Sequence, residues 1–163
     1  MTDATTKGET MNRSYRVLAV AVFLAVLVGA YGWRSAAGTG PATVRVTDRQ
    51  LGYTRVDVGR PGQSPGDSEI ITDRLYNKRI TQKVIGTARF ICTFTIGITR
   101  TCIATIDLPK GELVASGAVR FREFFKLAVV GGTGLYDNAR GTLTVIRTTS
   151  RPTREILFFR LTG

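Results

Sequence analysis

Most of the chain alternates apolar and polar residues with the period of β-strands. After Arg140, the small or apolar side chains of Gly141, Leu143 and Val145 alternate with threonines, as in a strand whose two faces meet different surroundings. Similar runs recur between turn residues. The pattern predicts eight strands at 43–50, 69–76, 81–95, 101–108, 112–121, 124–130, 140–148 and 154–162. Many strands joined by short turns are typical of a β-sandwich or a closed barrel.

A cluster of glycines, Gly131, Gly132 and Gly134, joins the sixth and seventh predicted strands. Glycine-rich loops that bind phosphate precede a helix, whose N-terminus faces the anion. Here a strand pattern follows, and the glycine spacing fits neither the dinucleotide motif nor the P-loop. The cluster therefore predicts a glycine-rich connection between two strands, with no helix and no nucleotide.

The segment 129–141, Val-Val-Gly-Gly-Thr-Gly-Leu-Tyr-Asp-Asn-Ala-Arg-Gly, resembles the signature of the allene oxide cyclase and dirigent superfamily. The likeness extends over about residues 43–163. Its further elements are Gly66-Asp67, Leu75-Tyr76, Val84-Ile85-Gly86, Cys92, Gly111-Glu112-Leu113 with Gly117, and the closing segment 158–163. The resemblance implies an antiparallel eight-stranded β-barrel over residues 42–163.

The N-terminal residues 1–41 are predicted to direct export. An apolar run at 17–30 follows Lys7, Arg13 and Arg16, which is the layout of a secretory signal. Extended through Trp33, the same run becomes long enough for an uncleaved hydrophobic anchor helix, and residues 38–41 form a linker. Both alternatives place the barrel outside the cytoplasm, either secreted or anchored to the membrane.

Charge and composition restrict the function further. The chain has a net charge of +11 and no histidine, which removes the commonest general base and excludes a catalytic serine–histidine triad. The arginines are spread along successive strands and are not interleaved with an aromatic platform, so nucleic acid is not the predicted partner. We expect neither a metal nor a cofactor.

An eight-stranded barrel has an interior that holds either packed side chains or one small ligand. Alternation nominates the residues that line it, with simple filling of the core as the other interpretation. The candidates are Ile71, Leu75, Phe90, Phe94, Ile106, Leu113, Ala115, Leu127, Leu143 and Phe158.

The two cysteines, Cys92 and Cys102, are too few for a structural zinc site. If the chain turns near Gly97, they lie opposite each other on one face of a hairpin, close enough for a disulfide. Export would favour oxidation. Two small buried thiols are the alternative.

Asp73 and Arg140 are the candidate catalytic residues. Asp73 shares a strand face with Ile71 and Leu75, where burial would raise the pKa of its carboxyl and prepare it for acid–base chemistry. The alternative is a structural aspartate, exposed or paired with an arginine. The resemblance favours the first interpretation, since related proteins place a polar pocket residue there. Arg140 matches the family's Ala-Arg-Gly element and either binds a substrate oxygen, clamps the turn or lies outside.

The resemblance does not extend to allene oxide cyclisation itself. The glutamate, asparagine and tyrosine of the plant cyclases fall at Arg45, Thr47 and Val119. The sequence therefore predicts an exported barrel that binds a small hydrophobic molecule and directs its cyclisation, isomerisation or stereoselective coupling without a cofactor. The alternative is a non-catalytic, secreted or envelope-associated binding barrel. A homo-oligomer is left open, and membrane contact is expected only through an uncleaved N-terminal segment.

Overall fold

A computed structural model describes residues 40–77, 83–120, 124–149 and 153–162. The predicted export segment and its hydrophobic helix lie outside these residues. In chain order the elements are β1 (Ala42–Val56), β2 (Ser68–Tyr76), β3 (Gly86–Phe94), β4 (Thr99–Leu108), β5 (Gly111–Arg120), β6 (Phe124–Gly132), a 3-10 turn (Gly134–Tyr136), β7 (Arg140–Arg147) and β8 (Arg154–Thr162). No helix within the described ranges is long and apolar enough to cross a bilayer.

The strands form a closed barrel. Each strand pairs antiparallel with the next, and β8 pairs with β1, which confirms the predicted eight-stranded antiparallel barrel. Two strand boundaries differ from the prediction by more than two residues. The strand β1 continues past Gln50 to Val56 because the register shifts between Gln50 and Gly52, so Leu51 is accommodated as a bulge. The strand β3 begins at Gly86, whereas the pattern predicted a start at 81.

The barrel has two unlike ends. At the packed end, where β4 leads to β5 and β6 to β7, the interior is filled by fully buried Leu75, Ile106, Leu113, Ala139 and Leu161. At the polar end, β1 leads to β2, β3 to β4 and β7 to β8. Several inward positions of these strands carry titratable side chains there, including Glu69 and Glu155.

The glycine-rich connection closes the packed end. It contains the 3-10 turn, which the strand-to-strand prediction had not anticipated, and the Leu135 amide donates to the Lys110 carbonyl at 2.8 Å. Gly141 has a φ of +140°, and a Cβ at this position would collide with the Arg160 carbonyl oxygen. Glycine is therefore required for the close approach of β7 to β8.

Candidate functional site

Three carboxylates meet inside the barrel where β8, β1 and β2 lie side by side. Asp48 on β1 is directly opposite Glu155 on β8 and Leu75 on β2. Asp73 lies two residues before Leu75, so it is on the same inner face of the barrel. Asp48 is 1% exposed, Asp73 is 3% exposed and Glu155 is 9% exposed. The side chains thus form a buried acidic cluster, which we call the carboxyl cluster.

Hydrogen bonds connect this cluster to Arg147 at the polar end. The Glu155 backbone amide donates to Asp48 Oδ1 at 2.8 Å, and Arg147 Nε donates to Glu155 Oε1 at 2.8 Å. Asp48 Oδ2 is buried and has no hydrogen-bond partner within the described residues. A buried polar atom without a partner costs free energy, and such atoms are associated with functional sites.

The two aspartates of the cluster are held away from their ordinary ionisation. Burial raises the pKa of Asp48 to about 8, with further contributions from the negative charges of Asp73 and Glu155. Burial also raises the pKa of Asp73 to about 7, the charge of Glu155 adds to the shift, and Arg147 opposes it. The negative charge of Asp73 therefore favours the protonated form of Asp48.

This arrangement can move protons near neutral pH. Asp48 is then largely protonated and donates a hydrogen bond or a proton, whereas Asp73 is poised between its two forms. Both raised pKa values lie near neutral pH, where a carboxyl can act as a general acid or as a general base. Asp73 is thus a buried, inward carboxyl with a raised pKa, and among the described residues it forms no ion pair with an arginine; its catalytic role stays a prediction.

A second polar group surrounds Phe94, also at the polar end. Tyr53 donates from its hydroxyl to Glu69 Oε1 at 2.7 Å, and Arg100 Nη1 lies 2.8 Å from Glu69 Oε2. The guanidinium carbon of Arg100 lies 4.3 Å from the centre of the Phe94 ring, and that of Arg55 lies 5.9 Å away. These contacts give the polar end cationic, phenolic and aromatic groups.

Asp67 fixes the β1–β2 loop beside this group. Its carboxylate accepts from the backbone amides of Val58 and Ser64, both at 2.8 Å, and from Arg55 Nη2 at 3.1 Å. The two backbone amides are the main cause that lowers the pKa of Asp67 to about 2. Asp67 is therefore a structural anion, in contrast to the carboxyl cluster.

The predicted interior residues lie in the core, with one exception. Their inward positions alternate along β2 to β7 as the period of two requires, and Ile71 is only partly buried against the core; their contact with a ligand stays a prediction. They are Ile71, Leu75, Phe90, Phe94, Ile106, Leu113, Ala115, Leu127 and Leu143.

Phe158 is the exception, and its assignment to the interior is wrong. Leu157 and Phe159 are fully buried, so the intervening side chain of Phe158 faces outward. It lines an outer groove of about 150 Å³ together with Lys126, Thr142, Thr144 and Arg160. Both phases of this strand carry apolar residues, which is why alternation alone did not fix its orientation.

Arg140 does not join Asp73. It is exposed at the start of β7, and its Nη1 donates to the Ala139 carbonyl at 2.9 Å. The geometry matches the turn-clamp alternative that the sequence left open. A direct role of Arg140 in chemistry at the carboxyl cluster has no support from this position.

The predicted disulfide between Cys92 and Cys102 is present. The two residues are directly opposite in the β3–β4 pair, with Cα atoms 4.0 Å apart, and both are fully buried. Across the described part of the chain, no three or more His, Cys, Asp or Glu side chains are arranged to hold a metal ion.

Sequence reasoning missed Asp48, Glu155 and Arg147. The signal was available for the first two. Asp48 continues the inward phase of Val44 and Val46, and Glu155 precedes Leu157 at the same two-residue spacing. A carboxylate in phase with buried aliphatic residues is the same feature that identified Asp73.

The comparisons with known proteins show the fold. No protein-family model and no curated protein matches the chain. Among solved structures, a pyocyanin demethylase is 29% identical with a TM-score of 0.63, covering 74% of this chain and 100% of its own. The exo-specific intermolecular Diels-Alderase AbnU is 14% identical with a TM-score of 0.61, covering 76% of this chain and 99% of its own.

A pterocarpan synthase dirigent protein is similar to the chain at 16% identity with a TM-score of 0.57, covering 77% of this chain and 98% of its own. With these neighbours, the barrel has the allene oxide cyclase and dirigent type of fold that the glycine signature indicated.

Proposed function

We propose that the barrel binds a small hydrophobic molecule at its polar end and promotes its isomerisation or cyclisation by proton transfer. The observation that carries the proposal is the pair of inward carboxyls, Asp48 and Asp73, whose pKa values are raised to about 8 and about 7. In this proposal Asp48 donates a proton to a developing negative charge on the substrate, and Asp73 removes one from carbon. The same pair then returns to its starting protonation by exchange with solvent near Arg147.

The surroundings of the carboxyl cluster support acid–base chemistry. Arg147 binds Glu155, and 42% of the Arg147 side chain is exposed to solvent. The cluster therefore lies between the core and water. General acid–base groups contribute about 10²–10⁴-fold to a rate when their pKa values lie near the working pH. Orientation of a bound apolar molecule would add to this contribution without a cofactor.

The structural neighbours support the class of ligand. By name they include a Diels-Alderase, a dirigent protein and a pyocyanin demethylase. The last has the highest identity of the three, so pyocyanin is the first compound to offer to this protein. The neighbours with lower identity support the fold and the general use of such a barrel for small molecules.

We also propose that the barrel works outside the cytoplasm, either secreted or held by an uncleaved N-terminal segment. The Cys92–Cys102 disulfide supports this localisation, because disulfides persist in oxidising compartments. The apolar run at 17–30 supports it independently. Fractionation of producing cells, followed by N-terminal sequencing of the protein, distinguishes the two forms.

The test of the proposed activity begins with mass spectrometry of molecules that co-purify with the protein, followed by turnover assays on those molecules and on pyocyanin. Asp73→Asn preserves the shape of the side chain and removes its charge. We expect turnover to fall by about 10²–10⁴-fold, with a melting temperature that holds or rises. Asp137→Asn, on the exposed turn at the packed end, is the matched control.

The non-catalytic binding barrel is the alternative outcome. If a bound molecule is found but is recovered unchanged, and Asp73→Asn alters only its affinity, the protein is a carrier. If Asp73→Asn lowers stability and leaves turnover intact, the carboxyl cluster is structural and the proposed proton transfer is wrong.

A further inference from the structure

On one side of the barrel the acidic side chains point inward, and the outward side chains that carry charge are all basic. The strands β6, β7, β8, β1 and β2 are consecutive neighbours around the wall. Every Asp and Glu in these strands, namely Asp48, Glu69, Asp73 and Glu155, is buried. The outward positions carry no acidic residue, and their basic residues are Arg45, Arg49, Arg74, Lys126, Arg140, Arg154 and Arg160.

Three of these arginines lie in one row across the wall. Arg49 on β1 is directly opposite Arg154 on β8 and Arg74 on β2. Adjacent strands are about 4.8 Å apart, so the row spans roughly 10 Å. None of the three guanidinium groups forms an ion pair or a hydrogen bond with another described residue, and Arg154 Nε is buried without a partner.

Such a row is unfavourable in the isolated protein. Like charges directly opposite each other on neighbouring strands destabilise a sheet. The three ion pairs found among the described residues all engage other arginines, Arg55, Arg100 and Arg147. Among the described residues, no carboxylate compensates the positive charge of the row, which a bound anion would neutralise.

We propose that Arg154, Arg49 and Arg74 form a binding site for a ligand that carries two or more linked phosphate groups. Guanidinium groups bind phosphate oxygens through paired hydrogen bonds. The row is longer than one phosphate group. Arg45 lies four residues before Arg49 on the same face of β1 and extends the positive surface. A short linear oligophosphate fits this arrangement of charge.

The residues beside the row distinguish this ligand from single-stranded nucleic acid. The outward positions that flank the row are Thr47 on β1, Ile156 on β8, and Thr72 and Tyr76 on β2, and of these Thr47 and Tyr76 are buried. The Thr72 hydroxyl can donate to a phosphate oxygen, whereas the aromatic residue among these four, Tyr76, is only 7% exposed and offers no open ring face on which bases stack. The site therefore recognises its ligand by charge and not by the stacking of bases.

The test uses tripolyphosphate and the full-length protein. We expect calorimetric binding that weakens as salt increases, together with a rise in melting temperature. Arg49→Gln, at the centre of the row, should weaken binding about tenfold or more, since hydrogen bonds to charged groups are the strong class. Without ligand, the melting temperature of this variant should hold or rise, because a repulsive contact is removed.

Arg120→Gln is the matched control. It removes the same charge from an outward position of β5, which lies across the barrel from β1. Binding that is retained in Arg120→Gln and lost in Arg49→Gln supports the site. Equal losses in both variants, no binding by the wild type, or tighter binding of single-stranded DNA of equal charge than of tripolyphosphate would each overturn it.

Discussion

The two ends of the barrel differ in the side chains that point inward, which are apolar at the packed end and include several carboxyls at the polar end. At the packed end, Leu75, Leu113 and Leu161 are at most 2% exposed, and their burial is favourable because apolar area leaves water. At the polar end, burial of Asp48 and Glu69 is unfavourable unless partners are supplied. Apolar packing thus stabilises one end, and the other end holds buried carboxyls, two of which have raised pKa values.

Two buried aspartates show what determines whether a buried carboxyl keeps its charge. Asp67 and Asp48 are both almost fully buried, yet the pKa of Asp67 is lowered to about 2 and that of Asp48 is raised to about 8. Asp67 accepts two backbone amides and an arginine, whereas one oxygen of Asp48 has no partner in the described residues. The supply of donors, and not burial alone, determines which carboxyl is structural.

Glycine substitutions should give the largest contrast between the ends. Gly141→Ala, at the packed end, forces a side chain into a φ of +140° and into the backbone of β8. We expect a loss of about 3 kcal/mol or more in the free energy of unfolding, from backbone strain and overpacking. Gly52→Ala, beside the bulge of β1, meets no atom within 4 Å and should change stability little. Urea denaturation measures both, and equal losses would contradict the contrast.

Removal of the disulfide should have the next largest effect. The bridge joins residues ten positions apart, so the double variant Cys92→Ala/Cys102→Ala should lose about 2–3 kcal/mol. Because Cys92 pairs with Glu69 on β2, amide exchange should accelerate most in β2, β3 and β4, and least around the glycine turn. Wild-type protein under reducing conditions is the control. Peptide mapping that finds both thiols free in native material would remove this prediction.

The carboxyl cluster should make stability fall as pH rises. A pKa raised from 3.8 to about 8 means that, between these values, the unfolded chain has released a proton that folded Asp48 retains. The stabilisation is complete below about pH 4 and is lost progressively up to about pH 8. Asp48→Asn should flatten this dependence and raise stability at neutral pH by about 1–2 kcal/mol. Asp137→Asn, which removes an exposed carboxyl, is the control. A slope in Asp48→Asn equal to that of the wild type would contradict the shift.

The strand pattern and the glycine signature were sufficient to predict the barrel, because strand pairing along one chain follows local alternation. Asp73 was predicted for the same reason, as a polar residue in phase with Ile71 and Leu75. The strand β8 shows the limit. In Ile156-Leu157-Phe158-Phe159 both faces are apolar, so only the partners Thr144 and Arg45 determine that Phe158 faces outward.

The carboxyl cluster as a whole could not be predicted, because it depends on the register between distant strands. Asp48 and Glu155 are 107 residues apart and meet only when β8 closes against β1. The bulge at Leu51 also reverses the phase of β1, which turns Tyr53 and Arg55 inward toward Glu69 and Asp67. Neither closure nor a bulge leaves a periodic signal in the sequence.

The smallest predicted effect concerns the cationic face of Phe94. Phe94 and Phe90 lie on the same strand, both point inward and both are 2% exposed, but only Phe94 has arginines over its ring among the described contacts. Phe94→Leu and Phe90→Leu remove the same atoms, so the difference between their effects isolates the interaction with Arg100 and Arg55. We expect Phe94→Leu to cost about 1 kcal/mol more than Phe90→Leu, the usual size of a partly buried cation–π contact. The excess should disappear when both substitutions are repeated in an Arg100→Gln background, as a double-mutant cycle requires. If Phe90→Leu proves the more costly change, the polar end owes its order to the ion pairs of Glu69 and Asp67, and the Phe94 ring serves only as packing.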